Sequence, residues 1–174
     1  MTTAHLVAGH GIRVVNLSRP GDSIQSAEKQ RVEGGIHFTQ GSELGTAIWI
    51  ALGANDFVWG FSSLEEYRSR YLTVLNRIEP VPGQKIFCVT PLISRFDYSH
   101  QRDPEGATLE DYRQIVRSIA GEGYCILVET SEWFDAAEIY DECHMPGSLH
   151  LGEDGHIRYT IYLREAIRDV YTKF

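Results

Sequence analysis

Apolar residues recur in two rhythms along this chain. Short runs of β-branched and aromatic residues alternate with longer stretches in which apolar positions return every three or four residues. Residues 12–17 read as a strand that ends in the turn Ser18-Arg19-Pro20-Gly21. Residues 24–32 form a short helix stopped by Gly34-Gly35. Residues 46–52 are continuously apolar, as in a strand covered on both faces. Ser63-x-x-Glu66 is a capping box. It opens a helix with Leu64, Tyr67, Tyr71, Val74, Leu75 and Ile78 at helical spacing, ended by Pro80 and Pro82-Gly83. Residues 85–90 are the next strand, and 94–107 a charged, polar loop. Thr108 caps a helix carrying Leu109, Tyr112, Ile115, Val116 and Ile119, closed by Gly121 and Gly123. A strand at 124–129, an irregular stretch at 131–152 and a helix over 153–170 complete the chain.

This βαβαβαβα order has crossovers long enough for a helix each. It predicts an α/β fold, a three-layer α/β/α sandwich around a parallel sheet of four or five strands. With 174 residues and no repeat or linker, we expect one domain over 1–174. A net charge of −8 leaves no basic excess to neutralise phosphates, so no nucleic-acid partner is expected. No apolar run approaches the roughly 18 residues of a membrane span, and no basic segment with a long apolar stretch opens the chain. Cys88 and Cys125 sit inside apolar strand-like runs and read as buried thiols; with Cys143 they suggest a reduced, cytoplasmic protein.

The chemistry gathers at strand ends. Gly53-Ala54-Asn55-Asp56 follows the apolar run 46–52, which puts the Asn55 amide at the carboxyl end of the sheet. Open α/β sheets hold their ligands there, and an amide so placed can donate to a developing oxyanion. Asp56 reads as a loop organiser that accepts backbone N–H bonds. Ser23, in Gly21-Asp22-Ser23, reads either as a nucleophile on a strand-to-helix turn or as a helix N-cap. His144 and His150 lie on the loop before the last helix, and either suits a general base. Asp141 stands three residues before His144 and can orient either ring, as the acid of a triad does. Asp141, Cys143, His144 and His150 are also metal-ligand types, but their spacing matches no familiar zinc motif. Phe57, Trp59 and Phe61 suit either an acyl pocket or the core.

From residue 12 onward the chain resembles the SGNH (GDSL-type) hydrolases, a superfamily of esterases, lipases, thioesterases and deacetylases with a flavodoxin-like fold. Val14-Val15-Asn16-Leu17-Ser18-Arg19-Pro20-Gly21 is similar to the family's second block, Gly53-Ala54-Asn55-Asp56 to its third, and His150-Leu151-Gly152-Glu153-Asp154-Gly155-His156 to its last. The resemblance implies an oxyanion hole built from the Gly21 N–H and Asn55, with His150 as base. The family's nucleophile stands in a first block, Gly-Asp-Ser-Leu/Ile, well ahead of the Asn. Gly21-Asp22-Ser23-Ile24 has those letters, yet it lies where the second block ends, only 32 residues (55 minus 23) before Asn55. Two expectations follow: Ser23 is the nucleophile, or the nucleophile block is not part of this chain. The family's acid precedes its His by three residues; Gly147 holds that place before His150, and Asp141 before His144.

The expected function is hydrolysis of an ester or thioester of a small acyl group, with no cofactor and a small-molecule substrate. An incomplete sheet would favour a homo-oligomer. The alternatives are a non-catalytic domain that binds an acylated or glycan ligand or completes its site with a partner chain, and a doubly wound nucleotide or flavin binder. The loop after Leu17 lacks Gly-x-Gly-x-x-Gly, which argues against the latter.

Overall fold

Three short apolar runs make the sheet. In the computed structural model, which describes residues 20–33, 47–60, 63–78, 84–134 and 150–171, these are β1 (Ala47–Ile50), β2 (Lys85–Val89) and β3 (Ile126–Val128). They pair in parallel in the order β1-β2-β3, with Ile48 opposite Ile86 and Cys88 opposite Leu127. The predicted strand at 12–17 and most of the irregular stretch, 135–149, lie outside the described residues. The chain packs as two compact units. One is Pro20–Ser131; the described part of the other is 132–134 and 150–171.

In the first unit, α1 (Ile24–Glu33) precedes β1. Helices α2 (Ala54–Trp59) and α3 (Leu64–Asn76) connect β1 to β2, and α4 (Arg95–Tyr98) and α5 (Leu109–Gly121) connect β2 to β3. Local chemistry starts the long helices where the sequence predicts. The Ser63 hydroxyl accepts the Glu66 N–H at 3.2 Å, but the Glu66 carboxylate turns to Arg70 instead of closing the box. At Thr108 the box closes with Asp111: the Thr108 N–H donates to that carboxylate at 2.7 Å, and Thr108 Oγ1 accepts the Asp111 N–H at 3.3 Å. Two short helices, α2 and α4, stand where the sequence reading has only turn and loop.

The core forms between sheet and helices. Trp49 stacks on its register partner Phe87 with ring centroids 4.5 Å apart. Tyr67 and Tyr71, one turn apart on α3, are fully buried and meet edge to face at 5.7 Å. Burying a tyrosine stabilises the fold only if its hydroxyl finds a partner. Both donate to carbonyls at the carboxyl end of β1, Tyr67 to Leu52 at 3.1 Å and Tyr71 to Ile50 at 3.3 Å. Those two bonds fasten the strand end from which the Gly53 turn departs. Tyr112 of α5 closes the aromatic cluster 4.9 Å from Tyr67 and donates to the buried Asp103 at 2.7 Å. Asp103 also accepts the amides of Glu105 and Ala107, which sets the loop after α4. Gly60 ends α2 in the left-handed region at φ 59°, and a Cβ there would lie 2.5 Å from Pro104. Only glycine lets those two loops meet.

In the second unit α6 (Glu153–Tyr171) carries Tyr159 and Tyr162, which pack on Trp133 at 5.3 and 5.6 Å. No helix among the described residues is long and apolar enough to cross a membrane.

The cysteines correct the sequence reading. Cys88 and Cys125 are not free thiols; they are joined as a disulfide, with Cα atoms 5.9 Å apart. Cys88 is on β2 and Cys125 immediately precedes β3, so strand pairing brings them within bonding range, which their run-by-run apolar context conceals. The bond closes 37 residues of chain, for which loop entropy corresponds to about 4 kcal/mol. Reduction should therefore lower stability by about 2–4 kcal/mol. Urea unfolding with and without dithiothreitol measures it; coincident curves, with thiol titration showing the bond opened, would contradict the assignment.

Candidate active site

The carboxyl end of β1 leads into Gly53, whose φ of 124° and close neighbours exclude a side chain. A Cβ there would lie 2.7 Å from Tyr67 Oη and 2.9 Å from Pro91 Cγ. The chain then enters α2 at once, so Asn55 and Asp56 sit in its first turn with their side chains free to reach sideways. Both reach the segment 22–24, where the turn after Gly21 enters α1. Asn55 Nδ2 donates to the Asp22 carbonyl at 2.8 Å. Both oxygens of Asp56 accept the Ile24 N–H, at 3.0 and 3.1 Å. Two adjacent side chains thus hold one turn across 32–33 residues of sequence. A primary amide has two N–H groups. The second of Asn55 has no protein partner among the described residues.

Ser23 is the N-cap of α1. Its Oγ accepts the Ser26 N–H at 3.2 Å, and its own N–H donates to Ser26 Oγ at 2.8 Å, a reciprocal pair like a capping box. The residue is only 3 % exposed. Gly21, two residues earlier, is exposed with φ 79°. Asp56 does what the sequence reading assigns it, organising a loop by accepting a backbone N–H. It is also fully buried at the N-terminus of α1, where the helix dipole favours a negative charge. Burial raises its pKa from the ordinary value to about 6, against the amides of Ile24, Asp56 and Gly53 and the charge of Arg70, which pull it down.

The neighbouring strand ends are locked as well. The Thr130 N–H donates to Thr90 Oγ1 at 2.8 Å and the Thr130 hydroxyl to the Thr90 carbonyl at 2.6 Å. Glu129 accepts from the Thr90 hydroxyl at 2.8 Å and from Arg117 Nε at 2.6 Å. Burial raises the Glu129 pKa, but Arg117, Ser131 and Thr90 outweigh it and hold the carboxyl at about 2. Of the aromatics after Asn55, Phe57 is core, 5.6 Å from Phe96, while Trp59 is 61 % exposed. Phe61 lies outside the described residues.

The other candidates fall differently. His150 is exposed in the bend before α6, in the second unit, and His156 is exposed in that helix's first turn. His144, Asp141 and Cys143 lie outside the described residues.

A family model for GDSL-like lipases and acylhydrolases matches residues 2–158, most of the chain. The chain belongs to this family. Structural similarity agrees at the level of fold. A protein from Parabacteroides merdae assigned as a GDSL-like lipase superposes with a TM-score of 0.72 at 17% identity, over 94% of this chain and 78% of that one. A lipase/acylhydrolase from Enterococcus faecalis gives 0.65 at 16% identity, over 95% and 83%. LAE5, an α/β hydrolase enzyme from the Lake Arreo metagenome in Spain, gives 0.62 at 16%, over 94% and 77%. No curated protein matches the chain in sequence. The GDSL-like family assignment and these neighbours bear out the expected α/β sandwich and the SGNH resemblance.

Two residues that organise this region escape the sequence reading. Asp103 sits among loop charges with nothing to distinguish it. Arg113 does leave a signal: it falls four residues after Leu109 and three before Val116, on the apolar face of its helix.

The Asp56 carboxyl gives a pH dependence of defined sign. Its folded pKa of about 6 exceeds the ordinary 3.8, so the folded state holds the proton more tightly than the unfolded chain. That contribution is fully present below pH 3.8 and is lost as pH rises through 6, about 3 kcal/mol in all. Asp56→Asn should flatten the stability profile between pH 4 and 6 relative to the parent. Parallel profiles in chemical unfolding would contradict this. Ser23→Ala should cost about 1 kcal/mol through loss of the cap; an unchanged midpoint would count against it.

Proposed function

We propose that the chain is an acyl hydrolase acting on esters or thioesters of small acyl groups. Membership of the GDSL-like family gives the class of reaction. The observation that carries the finer reading is the Asn55 amide, fixed on the Asp22 carbonyl at 2.8 Å, beside the turn that begins at Gly21. One of its N–H groups is thereby oriented, and the other has no partner among the described residues. In this reading that second N–H and the Gly21 N–H hold the carbonyl oxygen of the substrate as it becomes an oxyanion. An imidazole, His150 or His144, takes the proton of the attacking hydroxyl and returns it to the leaving alkoxide or thiolate, with Asp141 orienting the ring. Ser23 is the nucleophile that the Gly-Asp-Ser-Ile motif supplies. Its acyl ester is then cleaved by water, activated by the same ring.

The cap geometry of Ser23 favours a second reading. Its hydroxyl is buried and already accepts a backbone N–H. An attacking oxygen needs to be presented to the substrate. In this reading Ser23 is structural, and the domain binds an acylated or glycan ligand or completes its site with a partner chain, in keeping with an oligomer. The disulfide favours an oxidising compartment over the cytoplasm that the thiol reading suggests.

A fluorophosphonate probe separates the two readings. Hydrolase action through Ser23 gives an adduct on that residue by peptide mass spectrometry, and Ser23→Ala abolishes both adduct and turnover of p-nitrophenyl acetate. Asn55→Ala should lower kcat by on the order of 10²–10³ while the protein stays folded. No adduct and no turnover in the parent would overturn the hydrolase reading in favour of binding.

A further inference from the structure

A buried arginine in a small fold asks for an explanation. Arg113 of α5 is 2 % exposed, yet all five of its guanidinium N–H groups are engaged. Nε donates to the Pro91 carbonyl at 2.8 Å. Nη1 donates to Asp97 Oδ1 at 2.6 Å and Glu110 Oε2 at 3.3 Å. Nη2 donates to the Leu92 carbonyl at 2.8 Å and Asp97 Oδ2 at 2.9 Å. A bidentate pair with Asp97 and two main-chain carbonyls fix where the chain goes after β2. Asp97 is itself tied in, because it accepts the Ser94 N–H at 2.8 Å and closes the capping box of α4.

A buried ion pair is weak evidence for stability, since well-packed apolar groups often do as well. What it supplies here is geometry. The loop it holds is the one that touches the Asn55 turn. The Pro91 ring lies against Gly53, where a Cβ would come within 2.9 Å of its Cγ. Five residues further on, Phe96 packs on Phe57, two residues after Asn55. Only Pro91, its carbonyl on Arg113 and its ring on Gly53, separates the guanidinium from the start of the turn.

We propose that Arg113 is a positioning residue of this site: by gripping the Pro91 and Leu92 carbonyls and Asp97, it seats the 91–97 loop against Gly53 and Phe57 and so sets the aim of the Asn55 amide. The catalytic part of this inference rests on the hydrolase reading; the structural part does not. A planar fork serves this purpose and an ammonium does not. Lysine has three donors on a single atom and cannot span two carbonyls and a bidentate carboxylate.

The test is Arg113→Lys in the full chain, with two readouts. Amide hydrogen exchange by mass spectrometry should show lost protection over 53–57 and 91–97, with α3 (64–76) unchanged. Turnover of p-nitrophenyl acetate should fall by about 10²-fold in kcat with KM little altered, the cost of a misplaced group. Pro91→Ala, which leaves Arg113 intact and removes the ring against Gly53, should reproduce the loss over 53–57. Added ethylguanidinium should restore protection to Arg113→Ala. Unchanged exchange over 53–57 in Arg113→Lys would overturn the proposal, as would a uniform loss over the whole chain. If Arg113→Lys fails to fold, unchanged exchange in Pro91→Ala overturns it equally. A parent without turnover refutes the hydrolase reading alone, and the exchange pattern then still decides the positioning role.

Discussion

The described part of the site depends on one joint, where Asn55 and Asp56 grip residues 22–24 at the start of α1. Everything around it serves to hold the two side chains in place. The hydroxyls of Tyr67 and Tyr71 fasten the Leu52 and Ile50 carbonyls at the end of β1. The Gly53 turn, too crowded for any Cβ, swings the chain directly into α2. The first turn of that helix then presents an amide and a carboxylate side by side. The amide takes a carbonyl and the carboxylate an N–H, so the turn is gripped through both kinds of main-chain group. The joint also has a cost. A carboxylate with no exposure is retained against its desolvation, which the raised pKa of Asp56 records.

Much of the architecture is legible from the sequence because its causes are local. Ser63 and Thr108 announce helix starts by their side chains, and the apolar runs at 46–52 and 85–90 contain β1 and β2 with a residue or so to spare. The assignment of Asp56 as an acceptor of backbone N–H bonds is also legible, because an aspartate in a turn readily takes main-chain N–H groups. What escapes is non-local or short. Helices α2 and α4 span six and four residues, less than two turns, and have no room for a helical period. The disulfide depends on β2 and β3 lying side by side, which nothing within 85–90 or 124–129 reveals. Arg113 looks like any helix-surface arginine until its place on the apolar face is noticed.

The site itself is legible in part. Reading Gly53-Ala54-Asn55-Asp56 together with Gly21-Asp22-Ser23 anticipates two segments far apart in sequence, and the Asn55–Asp22 and Asp56–Ile24 bonds bring them together. Ser23 shows how the same letters serve two purposes. A serine just ahead of a helix is placed both to attack and to cap, and here it caps. The histidines and Asp141 belong to the stretch where sequence pattern is weakest. The roles proposed for them rest on spacing and on the family to which the chain belongs.

The most direct test of the joint is a scalar coupling across its hydrogen bond. In a 13C,15N-labelled sample, NMR should detect transfer between Asn55 Nδ2 and the Asp22 carbonyl carbon, together with one protected and one freely exchanging side-chain amide proton. Two equivalent, rapidly exchanging protons and no coupling would contradict the account, because the amide would then not be held against the turn at 21–23.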